Sequence, residues 1–149
     1  MAAKIVVQTA DFDSGAEIAA LSKGNAAVGA VASFIGVVRG DDGLTALTLE
    51  HYPAMTEAEI AKIVAEAEQH WALAGVTVIH RTGRLPVGEQ VVFVGVASSH
   101  RGAAFEACEF LMDYLKTRAP FWKQEERGDA GAWVEAKSSD DAQAARWKK

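Results

Sequence analysis

His100 and Arg101 follow a predicted strand and precede a predicted helix, in the segment Ser98-Ser99-His100-Arg101-Gly102. The first N–H groups of a helix lack partners within it and carry a partial positive charge, so this helix start can bind an anion. Alternatively, His100 caps the helix and Arg101 is solvated.

Arg39 ends a long apolar run beside a glycine-rich turn. It can bind phosphate bidentately or lie solvated at a strand edge, and the sequence leaves these alternatives open.

Two lysines, Lys116 and Lys123, flank the break at Pro120. Phe105 and Met112 stand at helical spacing behind Lys116, which predicts that its aliphatic stem lies against packed surface. A lysine in such a setting can have a lowered pKa and act as an acid, a base or a nucleophile. A lysine near the end of a helix is also a common surface charge that interacts well with the helix dipole, and spacing alone favours that interpretation.

The single cysteine, Cys108, is the obvious candidate nucleophile. It shares one predicted helix stripe with Ala104, Leu111 and Leu115, which predicts that its side chain is buried. Free cysteine is among the most often buried residue types, and a buried structural cysteine is inert. We therefore expect no catalytic role for Cys108. One cysteine also excludes an internal disulfide and a zinc site built on a cysteine pair.

Several widespread motifs are absent from the 149 residues. There is no Walker loop, no Gly-x-Gly-x-x-Gly opening a helix, no Gly-x-Ser-x-Gly and no His-x-x-x-His, and the four histidines show no metal-ligand spacing. These absences argue against standard nucleotide and metal chemistry. Lys and Arg number 15 against 20 Asp and Glu, and this net charge of −5 argues against a general nucleic-acid binder.

The charge is unevenly distributed, which directs the search for an anion site. Residues 1–70 carry four basic and ten acidic residues, whereas the rest carry eleven basic and ten acidic ones. An anion site is therefore expected in the second half.

The start of the chain is too poor in apolar residues for a secretion signal, and no later run is long enough to span a membrane. We expect a cytoplasmic protein.

These candidate residues are expected to lie in one domain, 1–149, since the length suits a single core and no repeat or linker divides the chain. Periodicity and turn signals predict strands at 4–8, 26–39, 44–52, 76–81, 90–98, 121–126 and 133–136. They predict helices at 14–22, 56–73 and 101–118, and a polar tail at 137–149 that is frayed or weakly helical.

Finer features of these elements are also predicted. Ser14 and Thr56 have capping-box spacing and are expected to be N-caps. The strand at 26–39 is expected to be buried on both faces, bent or bulged at its glycines, and paired in a hairpin with 44–52. The run at 90–98 is expected at the centre of the sheet. The element order favours an α+β fold with a mainly antiparallel sheet and three helices.

Several segments together are specific enough to indicate a family. The longest is MDYLKTRAPFWK at 112–123. The others are LTLEHYP at 47–53 with Met55 and Thr56 after it, VIHR at 78–81, VFVGV at 92–96, HR at 100–101, FEA at 105–107, WVEA at 133–136 and RW at 146–147. Over residues 4–147 the chain resembles the large, catalytic subunits of molybdopterin synthases.

The resemblance implies an α/β-hammerhead-like fold and a homodimer. Each large subunit would bind one small, ubiquitin-like sulfur-carrier subunit, giving a heterotetramer. The implied reaction inserts two sulfurs into cyclic pyranopterin monophosphate to form the dithiolene of molybdopterin. Sulfur would arrive as a thiocarboxylate on the C-terminal Gly-Gly tail of the small subunit. No permanently bound cofactor and no enzyme cysteine would then be needed.

The resemblance also assigns catalytic roles. Lys116 would be the principal catalytic residue, which stabilises a developing oxyanion or transfers protons. Lys123 would support it, beside Gln124 and Glu125 on the same wall of the pocket.

The resemblance assigns substrate binding to Arg39, His100 and Arg101, the last two reaching in from the other protomer. The family segment before the arginine commonly reads Gly-Lys-Val-Arg, whereas this chain has Gly-Val-Val-Arg at 36–39 and a shorter turn after it. Val37 and Val38 are included in the candidate substrate site, where Val37 offers backbone groups alone.

Two other functions are considered. One is a non-catalytic protein that keeps the fold and docks a ubiquitin-like partner. The other is a phosphate-ligand binding domain that acts alone. The joint presence of the two lysines and the three other basic site residues argues against the first.

Overall fold

The structure is a computed structural model that describes residues 3–127 and 130–134 together with Ala144 and Trp147. Within this part of the chain, eight strands and three helices form two four-stranded sheets and their helical cover. In chain order the elements are β1 (Lys4–Gln8), α1 (Ser14–Ser22), β2 (Ala30–Val37), β3 (Leu44–His51), α2 (Pro53–His70), β4 (Leu73–Arg81), β5 (Gly83–Pro86), β6 (Gln90–Ser98), α3 (Arg101–Thr117), β7 (Phe121–Arg127) and β8 (Ala130–Val134).

The first sheet has the strand order β1-β4-β6-β2. β1 pairs parallel with β4, and the other neighbours are antiparallel. Helix α2 packs on α3 and β1, and α3 packs on β6 and β2. The core between these helices and the sheet consists of apolar side chains, including Ile60, Ile63, Val64, Val78, Val94, Val96, Ala107 and Leu111.

Helix α1 covers the opposite face of this sheet. Strand alternation turns Gly95 away from Val94 and Val96, toward Leu21 of α1. A Cβ at position 95 would lie 2.5 Å from Leu21 Cδ1, so glycine is what allows the helix to come this close.

The second sheet has the order β5-β3-β7-β8 and is antiparallel throughout. Its small apolar cluster is formed by Val38, Leu49 and Leu85. Residues 118 to 120 join the end of α3 to β7, so β7 of the second sheet begins where the helix that carries Lys116 stops.

The predicted class is confirmed, because the fold is α+β with mainly antiparallel sheets. The strands at 4–8 and 90–98 have the predicted bounds, β6 is central in its sheet, and α3 buries the predicted stripe of Ala104, Cys108, Leu111 and Leu115. A register shift between Gly36 and Val37 confirms the predicted bulge.

The predicted hairpin between β2 and β3 is wrong. The two strands lie in different sheets, and β3 pairs with β5 and β7 instead. The strand at 26–39 is shorter than predicted and is not buried on both faces, since Phe34 and Val37 are 41% and 52% exposed. Strand β5 lies in what was predicted to be a turn.

Both predicted helix caps are wrong. Asp13 caps α1, because its carboxylate accepts a hydrogen bond of 3.1 Å from the N–H of Ala16. Helix α2 begins at Pro53, a residue suited to the first helical turn since it needs no N–H partner there. Thr56 is therefore a buried residue inside α2. That helix ends at His70 rather than at 73, and β4 starts correspondingly early.

Most of the predicted polar tail, 137–149, lies outside the described residues. Ala144 is buried, and the Trp147 indole N–H donates to the Asp113 carboxylate over 2.6 Å. The Trp147 ring also makes edge contacts with Trp71 and Phe110. At these two positions the tail is packed against the core rather than frayed.

Candidate functional site

A cavity of about 520 Å³ lies at the seam between the two sheets. Its walls come from β2, β4 and β6 of the first sheet, β3 and β7 of the second, and the last two turns of α3. Four basic and three acidic side chains line it: Arg39, Lys116, Lys123, Arg127, Asp41, Asp42 and Glu125. Three of the candidate cations thus reach one cavity from different parts of the fold: Arg39 from the loop after β2, Lys116 from α3 and Lys123 from β7.

Lys116 is placed by the amphipathic pattern of α3. The buried neighbours Leu111 and Leu115 fix the helix against the first sheet, and Lys116 lies in the last turn with its side chain exposed at the cavity. Met112, one turn earlier, lines the same cavity. Among the described residues Lys116 makes no hydrogen bond or ion pair, so its ammonium group is available to an anionic ligand.

The end of α3 is held in place by Arg118, its C-cap residue. The Arg118 guanidinium donates to Glu59 over 3.0 Å and to Glu66 over 2.6 Å, both on α2. It also lies over the Tyr114 ring, 5.2 Å from the ring centre. A guanidinium shared between two carboxylates is more restrained than an isolated ion pair. The turn that carries Lys116 is therefore tied to a second helix.

Lys123 and Glu125 project into the cavity from β7, whereas Gln124 is not among its lining residues. Successive side chains on a strand point to opposite faces, so Gln124 cannot share a wall with both neighbours. The expectation that all three lie on one wall is wrong in this respect. Glu125 forms an ion pair with Arg127, which also lines the cavity.

The bulge at the end of β2 determines what Val37, Val38 and Arg39 offer. Val37 is exposed, but Val38 is buried and uses both backbone groups, donating to the Glu89 carbonyl and accepting from the Gly88 N–H, each at 2.9 Å. The backbone of Val38 is thus already occupied within the protein. Arg39 is 77% exposed and pairs with Asp41 at 3.0 Å, a contact that an anionic ligand can readily replace.

His100 and Arg101 lie at the other end of α3 and do not line the cavity. The helix rise places Arg101 about 22 Å from Lys116 along the axis. Both side chains are exposed, and His100 makes no side-chain hydrogen bond to the helix although it occupies the N-cap position. Within one copy of the chain, the structure thus agrees with the alternative in which His100 caps the helix and Arg101 is solvated, although the His100 side chain makes no capping hydrogen bond.

His80 is a cavity residue that sequence reasoning missed. Its ring stacks on Phe121, with centroids 3.9 Å apart and planes 20° apart, and Nδ1 lies 2.9 Å from the carbonyl oxygen of Arg81. Burial lowers the pKa of His80 to about 4, and the charges of Lys116 and Lys123 contribute to the shift. The imidazole is therefore neutral near pH 7. A lone histidine in the otherwise apolar run of β4 was the signal that could have identified it.

His80 should make the fold sensitive to acid. Its pKa is lower in the folded chain than the ordinary 6.5, so on acidification the unfolded chain takes up a proton first. The contribution of His80 to the free energy of unfolding is fully present above about pH 6.5, and it is lost as the pH falls toward 4. Between about pH 7.5 and about pH 5 we expect His80 to account for about 2 kcal/mol of lost unfolding free energy.

Urea unfolding of the His80→Asn variant at both pH values measures this contribution. The variant should lose about 2 kcal/mol less than the unmodified chain on acidification. His70→Asn is the matched control, since His70 is an exposed histidine that does not line the cavity. Equal pH dependence in the His80→Asn variant and the unmodified chain would refute the account.

Cys108 is buried in the α3 core, as predicted, and its thiol lies 3.9 Å from the Val94 carbonyl oxygen. Burial raises the pKa of this thiol to about 11, so it is protonated and unreactive at neutral pH. Cys108→Ala is expected to cost about 1 kcal/mol of stability through the small cavity it leaves, and to keep the turnover rate within about twofold. Thermal unfolding and a steady-state assay check the two effects, and a large loss of turnover by a folded variant would contradict them.

The described residues contain neither a metal-binding cluster nor a membrane-spanning helix. No group of three or more His, Cys, Asp or Glu side chains there could hold a metal ion. No helix in the same part of the chain has the length and apolar character needed to cross a membrane.

The fold and the cavity define an α+β protein in which two lysines from separate elements face one site between two sheets. The sequence profile of the MoaE protein family matches residues 7–118, and the chain belongs to this family. The molybdopterin synthase catalytic subunit of Mesorhizobium japonicum is 58% identical, an alignment covering 99% of this chain and 95% of that protein.

Solved structures share the fold. The molybdopterin biosynthesis MoaE protein from Burkholderia ambifaria superposes with a TM-score of 0.85 at 52% identity, covering 98% of each chain. A Helicobacter pylori protein, solved as a complex of subunits 1 and 2 of molybdopterin-converting factor, superposes with a TM-score of 0.75 at 20% identity. That likeness covers 88% of this chain and 90% of the other, and at this identity it concerns the fold alone.

Proposed function

We propose that this chain is the catalytic subunit of a molybdopterin synthase, a sulfurtransferase of molybdenum cofactor biosynthesis. It converts cyclic pyranopterin monophosphate to molybdopterin by inserting two sulfurs. The observation that carries the proposal is that Lys116 and Lys123 face one cavity, in a chain 58% identical over nearly its whole length to a synthase catalytic subunit.

The lysine charges suit the proposed reaction. The substrate carries a cyclic phosphate and the donor is a thiocarboxylate, so both reactants are anionic. Lys116 makes no ion pair among the described residues. It can therefore bind an anionic reactant without first breaking an ion pair with a carboxylate. An ammonium held in a partly enclosed site stabilises charge that develops on oxygen during the reaction. Lys116 is accordingly the principal catalytic residue, and Lys123 supports it from the facing strand.

The sulfur donor is a small, ubiquitin-like carrier whose Gly-Gly tail enters the cavity. A volume of about 520 Å³ is in the range of small-ligand sites. Phe34 and Val37 line the cavity and are exposed, so an apolar rim surrounds the place where the tail would enter. Exposed apolar surface beside a polar site suits the docking of a protein partner.

The working assembly is a homodimer with two carriers, a heterotetramer. The support for this lies in the position of His100 and Arg101. They belong to the candidate substrate site, yet they stand about 22 Å from Lys116 along α3. A second copy of the chain can bring its own His100 and Arg101 to the cavity, so that each site takes residues from both protomers.

Reconstitution with purified components tests the proposed function. The chain is mixed with thiocarboxylated small subunit and cyclic pyranopterin monophosphate, and the dithiolene product is measured. The control is the same small subunit with an ordinary carboxylate, which should give no product. Tight binding of the small subunit without product would instead favour a non-catalytic docking protein. A dimer that binds the substrate but does not bind the small subunit would favour a phosphate-ligand binding domain that acts alone.

A further inference from the structure

His80 is a neutral base candidate inside the cavity for which the proposed function has so far given no role. The Arg81 carbonyl can only accept a hydrogen bond, so the 2.9 Å contact places the imidazole proton on Nδ1. Nε2 then carries the free lone pair. Within residues 3–127 no side chain or backbone group donates a hydrogen bond to Nε2.

The orientation of this ring is fixed from two sides. The Arg81 carbonyl holds one edge, and the flat stack on Phe121 holds one face. A base that is already oriented needs little rearrangement when the reactants arrive. The ring also lines the same cavity as Lys116 and Lys123.

We propose, on the basis of the function proposed above, that His80 is a further catalytic residue whose Nε2 accepts the proton of the water that releases the sulfur from its carrier. A thiocarboxylate sulfur that has attacked a substrate carbon is left as a thioester between the carrier and the pterin. Transfer is complete only when that acyl carbon–sulfur bond breaks.

Water is the co-reactant that breaks the acyl carbon–sulfur bond. The water oxygen bonds to the acyl carbon and one water proton moves to Nε2 of His80. The carbon–sulfur bond then breaks, with its electron pair going to the sulfur on the pterin. The carrier leaves with a carboxyl group, and protonated His80 returns its proton to the thiolate or to solvent. Lys116 stabilises the oxyanion of the tetrahedral intermediate.

The surrounding charges make this base dependent on bound reactants. Lys116 on α3 and Lys123 on β7 both disfavour a proton on His80, as does His51 on β3, while Glu125 also lines the cavity. Anionic substrate and carrier tail offset the lysine charges, so the proton affinity of His80 rises when the site is filled. The empty site keeps the imidazole neutral and ready to accept.

Single-turnover kinetics of the His80→Asn variant test the proposal. Asparagine can keep a donor near the Arg81 carbonyl but has no group equivalent to Nε2. With thiocarboxylated small subunit and cyclic pyranopterin monophosphate, product formation should slow about 100-fold. A covalent carrier–pterin adduct should accumulate, detected as intact mass after quenching. A role confined to folding would not produce that adduct.

His70→Asn is the matched control and should react like the unmodified chain. His80→Gln is a second variant in case His80→Asn does not fold, and it should accumulate the same adduct. A rate within about threefold of the unmodified chain, or slowing without adduct, would overturn the role of His80. If the unmodified chain itself makes no product, the proposed function fails, and the role of His80 fails with it.

Discussion

Lys116→Ala should lower turnover by about a thousandfold or more while affinity for the small subunit stays within a few fold. The ammonium lies at the cavity without an ion-pair partner among the described residues, so its removal leaves the developing negative charge without a positive partner. The α3 stripe that supports the turn, including Leu111 and Leu115, is untouched. Turnover and small-subunit binding are measured on the same preparation.

Lys62→Ala provides the matched control. Lys62 is a 71% exposed lysine on α2 and makes a long contact of 3.9 Å with Glu59, so its loss should change neither quantity. Near-normal turnover by Lys116→Ala would contradict the assigned role. A parallel loss of partner affinity would make Lys116 a docking residue instead.

Activity should return when two inactive variants share a dimer. Lys116→Ala and Arg101→Ala are each expected to be nearly inactive as homodimers. If each site takes Lys116 from one protomer and Arg101 from its partner, a mixed dimer has one fully native site and one doubly altered site. Co-expression with two different tags isolates that dimer, and its turnover should be about half of the unmodified value.

A site built within one protomer predicts the opposite. Every site of the mixed dimer would then lack one of the two residues, and activity would stay as low as in the homodimers. The control pairs Lys116→Ala with unmodified chain and should give about half activity under either arrangement. A mixed dimer without recovery would therefore exclude the shared site while leaving the Lys116 role intact.

Local patterns predicted the helix that carries the principal candidate. The apolar stripe of α3 has 3.6-residue periodicity and Pro120 lies just beyond its end, so position and burial were readable from neighbouring residues. The inert Cys108 followed from the same stripe. The role assigned to Lys116 came from family resemblance, because spacing alone favoured a surface charge.

The pairing of strands that are distant in sequence could not be predicted from such local patterns. Strand β3 was assigned to its neighbour in sequence, yet it pairs with β7, where Leu49 lies opposite Lys123. Alternation shows which faces of a strand are apolar but not which strand lies beside it. The error mattered for the site, since the cavity exists because β2 and β3 belong to different sheets.

Smaller errors have local causes. Asp13 and Ser14 are adjacent residues that can both cap a helix, and capping-box spacing selected the wrong one. The family resemblance placed Gln124 on one wall with Lys123 and Glu125, whereas strand alternation separates it from them. His80 was not predicted as a site residue because, apart from its place in a family segment, it was compared only with metal-ligand spacings, and its stack on Phe121 depends on the meeting of two sheets.

The origin of the sulfur in the product shows whether the small subunit, and not this chain, is the sulfur donor. The small subunit is loaded with radiolabelled thiocarboxylate and allowed to react once with cyclic pyranopterin monophosphate, using the unmodified chain and Cys108→Ala in parallel. We expect a pterin that carries two labelled sulfurs with either protein. Unlabelled sulfur in the product, or a pterin left unchanged by folded protein, would contradict it.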